Sequence, residues 1–445
     1  MPLTVHTVSL GCPKNRVDTE FMLACLGPET KPVDDPAEAD LVLVNTCGFI
    51  EPAVNESLET IVGLAAQLSD IAGPGPRPLL AVIGCLVTRY GAAELAREMP
   101  EVDFWLGVRE LHRFAERIGE ALGRRHPDIR LDPLPSPARR LSTGPSHAYL
   151  KIAEGCGHHC SFCTIPSIRG PLASRPADSL VDEARQLLTQ VPELILVAQD
   201  TTAWGRDLGI DAGLPSLLHK LLDLPGLQRL RLMYLYPAGL TPDLLDCMAQ
   251  AGPVLVPYFD VPLQHAHPDI LSAMGRPFAR DPRKVLDRIR ARLPEAAVRT
   301  SIITGFPGET DKHFKALEDF VAQARFHHLG VFQYCDEDDA ASFALPGKVP
   351  AEMAAARRDA LMEIQAGISA EIMEQYVGRT LDIVVDEPHP DWEGLFTGRA
   401  WFQAPEVDGV TYVSGPGTIP GKLVQAEVVE AQTYDLVALT EPENE

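Results

Sequence analysis

Three short apolar runs, Val5 to Leu10, Asp40 to Asn45 and Leu79 to Ile83, are each followed by a helical stretch, and each leads within two residues to a cysteine: Cys12, Cys47 and Cys85. The helical stretches after the first two runs span Asn15 to Leu26 and, approximately, Glu51 to Leu68. Strands alternating with helices form βαβ units, which place the strands side by side and parallel. In an open sheet of this kind, ligands bind beyond the carboxyl ends of the strands. The three cysteines are 35 and 38 residues apart, which is no local metal motif, yet they occupy equivalent strand ends and can converge there. The competing reading is three separate buried thiols, since a free cysteine often serves as a small core hydrophobe. That reading suits one such residue better than three.

A second alternation begins at Tyr149, with strands centred on Leu150, Leu196, Leu232, Phe259, Ile302 and Val331. Six strand–helix units fall short of the eight of a complete barrel, so a partial (β/α)6 barrel, open on one side, is expected. A long helix, Ala351 to Tyr376, follows with Leu361, Ile364, Ile368 and Ile372 at helical spacing. From Gly378 the pattern changes to short β-rich runs, Leu381 to Val385, Val410 to Val413 and Leu423 to Val429, separated by Gly and Pro turns. These predict a small antiparallel β-barrel. The fold class is therefore α/β, in three domains: an open parallel α/β domain over 1–135, the partial barrel over 141–376 and the small barrel over 377–445. A Pro-rich stretch over 131–145 is the candidate linker, and residues 73–78 form a Gly/Pro loop. A chain of 445 residues exceeds what one core serves.

The strongest chemical signal is Cys156-Gly157-His158-His159-Cys160-Ser161-Phe162-Cys163, a C-x3-C-x2-C motif directly after the first barrel strand. Three thiolates so close suit a metal. A structural zinc site needs a fourth protein ligand, for which His158 or His159 is available. Iron–sulfur clusters take Cys thiolates, and three cysteines on a four-iron cluster leave one iron open. The nine cysteines also include Cys25 and Cys247, which read as helix packing, and Cys335, which has no assigned role. A reducing cytosol argues against disulfides.

The motif spacing, with aromatic Phe162 before the last cysteine, resembles the radical S-adenosylmethionine superfamily. The resemblance implies a 4Fe-4S cluster on Cys156, Cys160 and Cys163 whose open iron chelates S-adenosylmethionine and whose electron cleaves it to a carbon radical. These three residues are then catalytic through that radical-generating cluster. The protein positions the cofactor, and the hard chemistry belongs to the cofactor. Barrel loops that carry function follow the strands: Gln199 to Thr202, Tyr234 to Pro237, Pro262 to His265 and Thr304 to Glu309. The last resembles the superfamily's Gly-rich turn, so Gly305 and Gly308, together with Phe162 and Gln199, are the expected cofactor-binding residues. His265 and His267 read as structural. Arg169 and Arg175 are able to hold a carboxylate, with surface pairing as the default.

The N-terminal three-cysteine domain, the radical domain and the small terminal barrel, in that order, resemble the methylthiotransferases over nearly the whole chain. The resemblance implies a second 4Fe-4S cluster on Cys12, Cys47 and Cys85 that takes part in sulfur delivery. It also implies an electron donor such as flavodoxin or ferredoxin, and a sulfur donor. Two branches compete. The MiaB-like branch modifies an adenosine of transfer RNA. The RimO-like branch modifies the β-carbon of an aspartate in small-subunit ribosomal protein S-twelve. Leu10-Gly11-Cys12-Pro13-Lys14-Asn15 and Ala198-Gln199-Asp200-Thr201-Thr202 resemble the latter.

Charge points the same way. The net charge is −23, and residues 378–445 alone carry three basic and thirteen acidic side chains, a net −10. The tail resembles a TRAM domain, a module usually associated with RNA, but phosphate binding needs Lys and Arg. A basic ribosomal protein is the expected partner, and nucleic acid and membrane are not. The start of the chain lacks the basic and apolar regions of a signal peptide, and no apolar run is long enough to span a bilayer, so a cytoplasmic location is expected. A non-catalytic iron–sulfur carrier or binding protein is the alternative of another class, and a carrier has little need of a barrel built around a second ligand.

Overall fold

The computed structural model of the chain describes residues 2–70, 77–125, 131, 138–276 and 281–441. Most of the expected Gly/Pro loop, and residues 132–137 of the Pro-rich linker, including Pro133, Pro135 and Pro137, lie outside them. Residue contacts divide the chain into two compact units. One comprises Met1–Ser142, Glu154–His158 and Cys163–Ala173; the other comprises Thr143–Ala153, His159–Phe162 and Ser174–Glu445.

The first unit is built on a five-stranded parallel sheet of β1 (Thr4–Ser9), β2 (Lys31–Pro32), β3 (Leu41–Thr46), β4 (Leu79–Gly84) and β5 (Phe104–Gly107). Its strand order is β2-β1-β3-β4-β5. β3 and β4 are buried along their whole length, so both of their faces are covered, as parallel strands require. Val42, Val44, Leu80 and Val82 pack on one side with Ile61, Leu64 and Leu68 of the helix Glu51–Ser69. Leu41, Leu43, Ala81 and Ile83 pack on the other with Met22, Phe114 and Ile118. The order reverses between β1 and β3, and in doubly wound sheets ligands bind at such a switch point.

After β6 (His147–Lys151) come the short strands β7 (Ala153–Glu154) and β8 (Ala173–Ser174). Then follow β9 (Glu193–Val197), β10 (Arg229–Leu232), β11 (Tyr258–Asp260), β12 (Ala297–Thr304) and β13 (His328–Gln333). Strands β6, β9 and β10 form one parallel sheet, and β11, β12 and β13 another. Main-chain bonds from Val256 to Leu230 (3.0 Å) and from Leu235 to Asp260 (2.8 Å) carry the curve from β10 to β11. Among the described residues nothing pairs β13 with β6, which gives a six-stranded partial barrel. The helix Ala351–Glu374 packs behind β12 and β13: Ala354 O accepts from Thr304 Oγ1 (3.0 Å), and Gln365 Nε2 donates to Phe326 O (2.8 Å). Leu361, Ile368 and Ile372 of its apolar stripe are buried.

The same unit ends in a closed barrel of β14 (Thr380–Pro388), β15 (Leu395–Arg399), β16 (Thr411–Ser414), β17 (Leu423–Ala431) and β18 (Leu436–Leu439), in the order β14-β15-β16-β18-β17. Four of its five pairings are antiparallel, but the closing pair β16–β18 is parallel. This differs from the wholly antiparallel barrel expected from the pattern of runs. Polar side chains fix this barrel to the N-terminal ends of the larger barrel's strands. Arg229 donates to Arg399 O (3.0 Å) and Asp382 O (2.9 Å), Arg231 to Trp401 O (2.8 Å), and Tyr258 to Asp408 (2.7 Å). Asp408 also meets Arg299 at 3.3 Å, and Asp386 meets Arg399 at 2.9 Å, so two of the thirteen tail acids face inward partners rather than a basic ligand.

Candidate functional site: two cysteine triads

Because β1, β3 and β4 are parallel neighbours, their carboxyl ends carry Cys12, Cys47 and Cys85 to one end of one sheet, across the point where the strand order reverses. Cys12 caps the helix Pro13–Cys25, and Cys85 opens the helix Cys85–Tyr90. Gly11, at φ +88°, permits the close approach: a Cβ there would stand 2.9 Å from Cys47 Cβ and 3.2 Å from its sulfur. Asn15 holds the floor of the site, donating to Leu10 O (2.9 Å) and Thr46 O (3.0 Å).

The three thiols are close enough for each charge to act on the next. Burial pushes the Cys85 thiol up to about 12 against the pull of Arg169, and burial raises Cys47 as well. Burial also opposes ionisation of Cys12, but Lys14, Arg169 and the N–H groups of Asn15 and Lys14 outweigh it, and its value falls. Three like charges this close need a cation, which metal binding supplies as the thiols lose their protons.

Arg169 provides a fixed positive charge. Its side chain is 2% exposed, not at the surface as its sequence context suggests. Nε and Nη2 each stand 3.3 Å from Cys85 Sγ, while Nη1 meets Asp18 (3.0 Å) and Glu154 (3.0 Å). Nη2 also meets Asn15 Oδ1. Burying a guanidinium requires such partners, and these lie up to 154 residues away in sequence, beyond any local signal.

In the second triad, Cys156 N–H donates to Gly170 O (3.1 Å). In the barrel unit, Cys160 lies on a turn held by Ser161 N–H to Met274 O (3.0 Å) and Ser161 Oγ to Ala273 O (2.8 Å). Burial raises the Cys160 thiol, opposed by Arg276 and by a hydrogen bond from the Tyr236 phenol. Phe162 packs on Ile270, Met274 and Phe306. Gln199 follows β9, and Gly305 and Gly308 follow β12. The space a Gly305 side chain would take is filled by Ala354, so helix packing already requires a glycine there. A side chain on Gly308 would meet open space. Tyr234 (φ +60°) and Gln264 (φ +72°) adopt a conformation costly for side chains of their size. Both stand in loops that follow barrel strands, and nothing in their residue types announces it.

His265 is fully buried against Glu309 (3.2 Å). His267, Asp269 and His313 bring their ligand atoms within 4.8 Å of one another. Each of these two histidines bonds the start of a helix: His267 accepts from Asp269 N–H and His313 from Thr310 N–H. All nine cysteines are free of disulfides. Three unpaired thiols at one sheet end, with a buried cation against one sulfur, are a donor set that fits an iron–sulfur cluster.

The protein-family comparisons match the uncharacterized protein family UPF0004 over residues 4–107, the radical SAM superfamily over 150–321 and a TRAM domain over 377–440. The chain is 59% identical over 439 residues to the ribosomal protein uS12 methylthiotransferase RimO of Oleidesulfovibrio alaskensis, covering 98% of this chain and 100% of that one. The chain belongs to the RimO family of methylthiotransferases. The same-named protein of Lawsonia intracellularis is 51% identical, over 99% and 98% of the two chains. Among solved structures, the radical S-adenosylmethionine methyltransferase TsrM of Kitasatospora setae shares the fold, with a TM-score of 0.55 at 18% identity over 92% of this chain and 80% of that one. No helix among the described residues is long and apolar enough to cross a membrane.

Proposed function

We propose that this protein adds a methylthio group to the β-carbon of an aspartate in ribosomal protein uS12, with Cys156, Cys160 and Cys163 holding one four-iron cluster and Cys12, Cys47 and Cys85 a second. The observation that carries this reading is the identity of 51–59% along nearly the whole chain to relatives named for that reaction. The matches over 4–107, 150–321 and 377–440 support the division into domains at 1–135, 141–376 and 377–445.

When bound, the first cluster and S-adenosylmethionine together supply hydrogen abstraction from an unactivated carbon. Cys156, Cys160 and Cys163 would supply the three thiolates that hold that cluster beside the cofactor. Phe162 and Gln199 line the cofactor in this reading, and Gly305 and Gly308 approach it through the backbone. The Tyr236 phenol and Arg276 stabilise the Cys160 thiolate. At the other triad, the fixed charge of Arg169 sits against Cys85, and the Lys14 and Arg169 cations favour the Cys12 thiolate. An electron donor such as flavodoxin or ferredoxin and a sulfur donor complete the system, in the cytoplasm.

Mass spectrometry of uS12 and of bulk transfer RNA from a deletion strain tests this. The expected result is loss of a methylthio mass from uS12, with transfer RNA unchanged. A loss confined to transfer RNA overturns the assignment in favour of the MiaB-like activity.

A further inference from the structure

Arg169 follows Cys163 by six residues and ends the short helix Ile165–Arg169. This helix is bound on several sides within the N-terminal unit. Thr164 Oγ1 donates to Phe49 O (3.1 Å), two residues past Cys47. Arg109 donates to Ile168 O (3.1 Å), at the helix end, and to Pro166 O (3.2 Å), which also accepts from Gly170 N–H (3.1 Å). The guanidinium is thus held from its backbone side as well as by its own contacts. Asp18 and Glu154 fix Nη1, which leaves the fork of Nε and Nη2 aimed at Cys85 Sγ.

Two N–H donors on one sulfur, out of water, are more than a structural ion pair needs. Asp18 and Glu154 already supply two carboxylates, and a guanidinium seeking only carboxylates has no reason to face a thiol. Hydrogen bonds to ligating sulfur and local charge are among the levers that set a cluster's reduction potential. Arginine keeps its charge throughout, so the contribution does not switch off with pH.

We propose that Arg169 is a positioning residue for the N-terminal cluster: its two N–H bonds to Cys85 Sγ raise that cluster's reduction potential, and its carboxylate clamp on Asp18 sets how much. This rests on the reading that Cys12, Cys47 and Cys85 ligate a cluster. The same residue makes the peptide that follows Cys163 part of the second cluster's surroundings.

The test uses the full chain with Cys156, Cys160 and Cys163 changed to Ala, reconstituted anaerobically so that one cluster remains. Redox titration followed by electron paramagnetic resonance reads its midpoint potential and spectrum. In that background Arg169→Met is expected to shift the midpoint to more negative potential and to alter the spectrum. Asp18→Asn removes a compensating charge while leaving Arg169 on Cys85, and is expected to shift the midpoint the opposite way. Arg169→Lys retains a charge but not the fork, and is expected to fall between the parent and Arg169→Met. If Arg169→Met holds no iron, the opposite signs of the Asp18→Asn and Arg169→Lys shifts carry the test. Unchanged potentials overturn the proposal, as do shifts of the same sign in the Asp18 and Arg169 variants, which would mark general loosening of the site. A parent background that binds no iron overturns the cluster reading itself and is distinct from either outcome.

Discussion

Arg399 Nη1 stands 2.7 Å from Glu193 Oε2, with both side chains essentially sealed from water, so the last residue of β15 and the first residue of β9 share a charge pair. Arg231 meets the other Glu193 oxygen at 3.0 Å. Burial pushes the Glu193 carboxyl up, but Arg399 and Arg231 pull it further down, to about 2. A carboxylate lowered in the folded state stabilises it fully above its unfolded value and loses that stabilisation as pH falls through the folded value. Glu193 therefore contributes on the order of 3 kcal/mol near neutrality, lost progressively below about pH 4.5. Chemical denaturation of the cluster-free chain between pH 7 and pH 3 should show this decline. Glu193→Gln should cost about 3–5 kcal/mol at pH 7, because it strands buried cations, and should flatten the profile. A Gln variant with the parent's pH slope would assign the decline to other groups.

The two triads should empty independently. Reconstituted protein is expected to hold about eight irons per chain if each site takes a four-iron cluster. Changing Cys156, Cys160 and Cys163 to Ala should halve that and abolish cleavage of S-adenosylmethionine. Changing Cys12, Cys47 and Cys85 should halve it too, yet leave cleavage largely intact. About four irons in the unaltered chain would contradict the two-cluster reading.

Gly305 and Gly308 should separate on substitution. Gly305→Ala meets Ala354 and has positive φ, so it should cost about 2–4 kcal/mol, read as a lowered melting temperature. Gly308→Ala has open space around it and should cost only its backbone strain, about 1–2 kcal/mol. Calorimetric titration with S-adenosylmethionine should then show the greater loss of affinity in Gly308→Ala. Equal stability losses would remove helix packing as the reason for Gly305.

Charge on the terminal barrel should govern encounter with a basic substrate. Glu387, Asp391 and Glu393 are exposed, whereas Asp386 is committed to Arg399. Replacing the three exposed acids with Lys should slow association with purified uS12 and reduce its salt dependence, since exposed charges are screened over about 10 Å at 0.1 M salt. Cleavage of S-adenosylmethionine should not change. Association rates indifferent to both salt and charge reversal would discard the steering role.

What was legible in the residues was whatever a strand period or topology dictates. The apolar runs of β3 and β4, alternating with helices, announced a parallel sheet, and parallel topology then brought Cys12, Cys47 and Cys85 together without any local motif. Elements too short to show a period escaped notice: two-residue β2 and four-residue β5. So did β15, whose Leu395-Phe396-Thr397-Gly398-Arg399 ends in a buried cation. The largest misreading concerned buried charge. Arg169 read as a surface residue because its partners are remote in sequence: Asp18 stands 3.0 Å from it across 151 residues. Long-range pairing of this kind leaves no periodic trace.

The N-terminal unit is discontinuous, since Glu154–His158 and Cys163–Ala173 belong to it although β6 intervenes. A ribosome that has released only residues 1–142 has therefore not yet supplied the cation that Asp18 requires. The sheet can form early in synthesis, but its cysteine end is finished only after the first strand of the next domain has been made. Dissection at the apparent linker should accordingly yield an N-terminal fragment with native strands, a loosened Cys85 and poor iron retention, whereas supplying a peptide of residues 154–173 in trans would restore the missing wall.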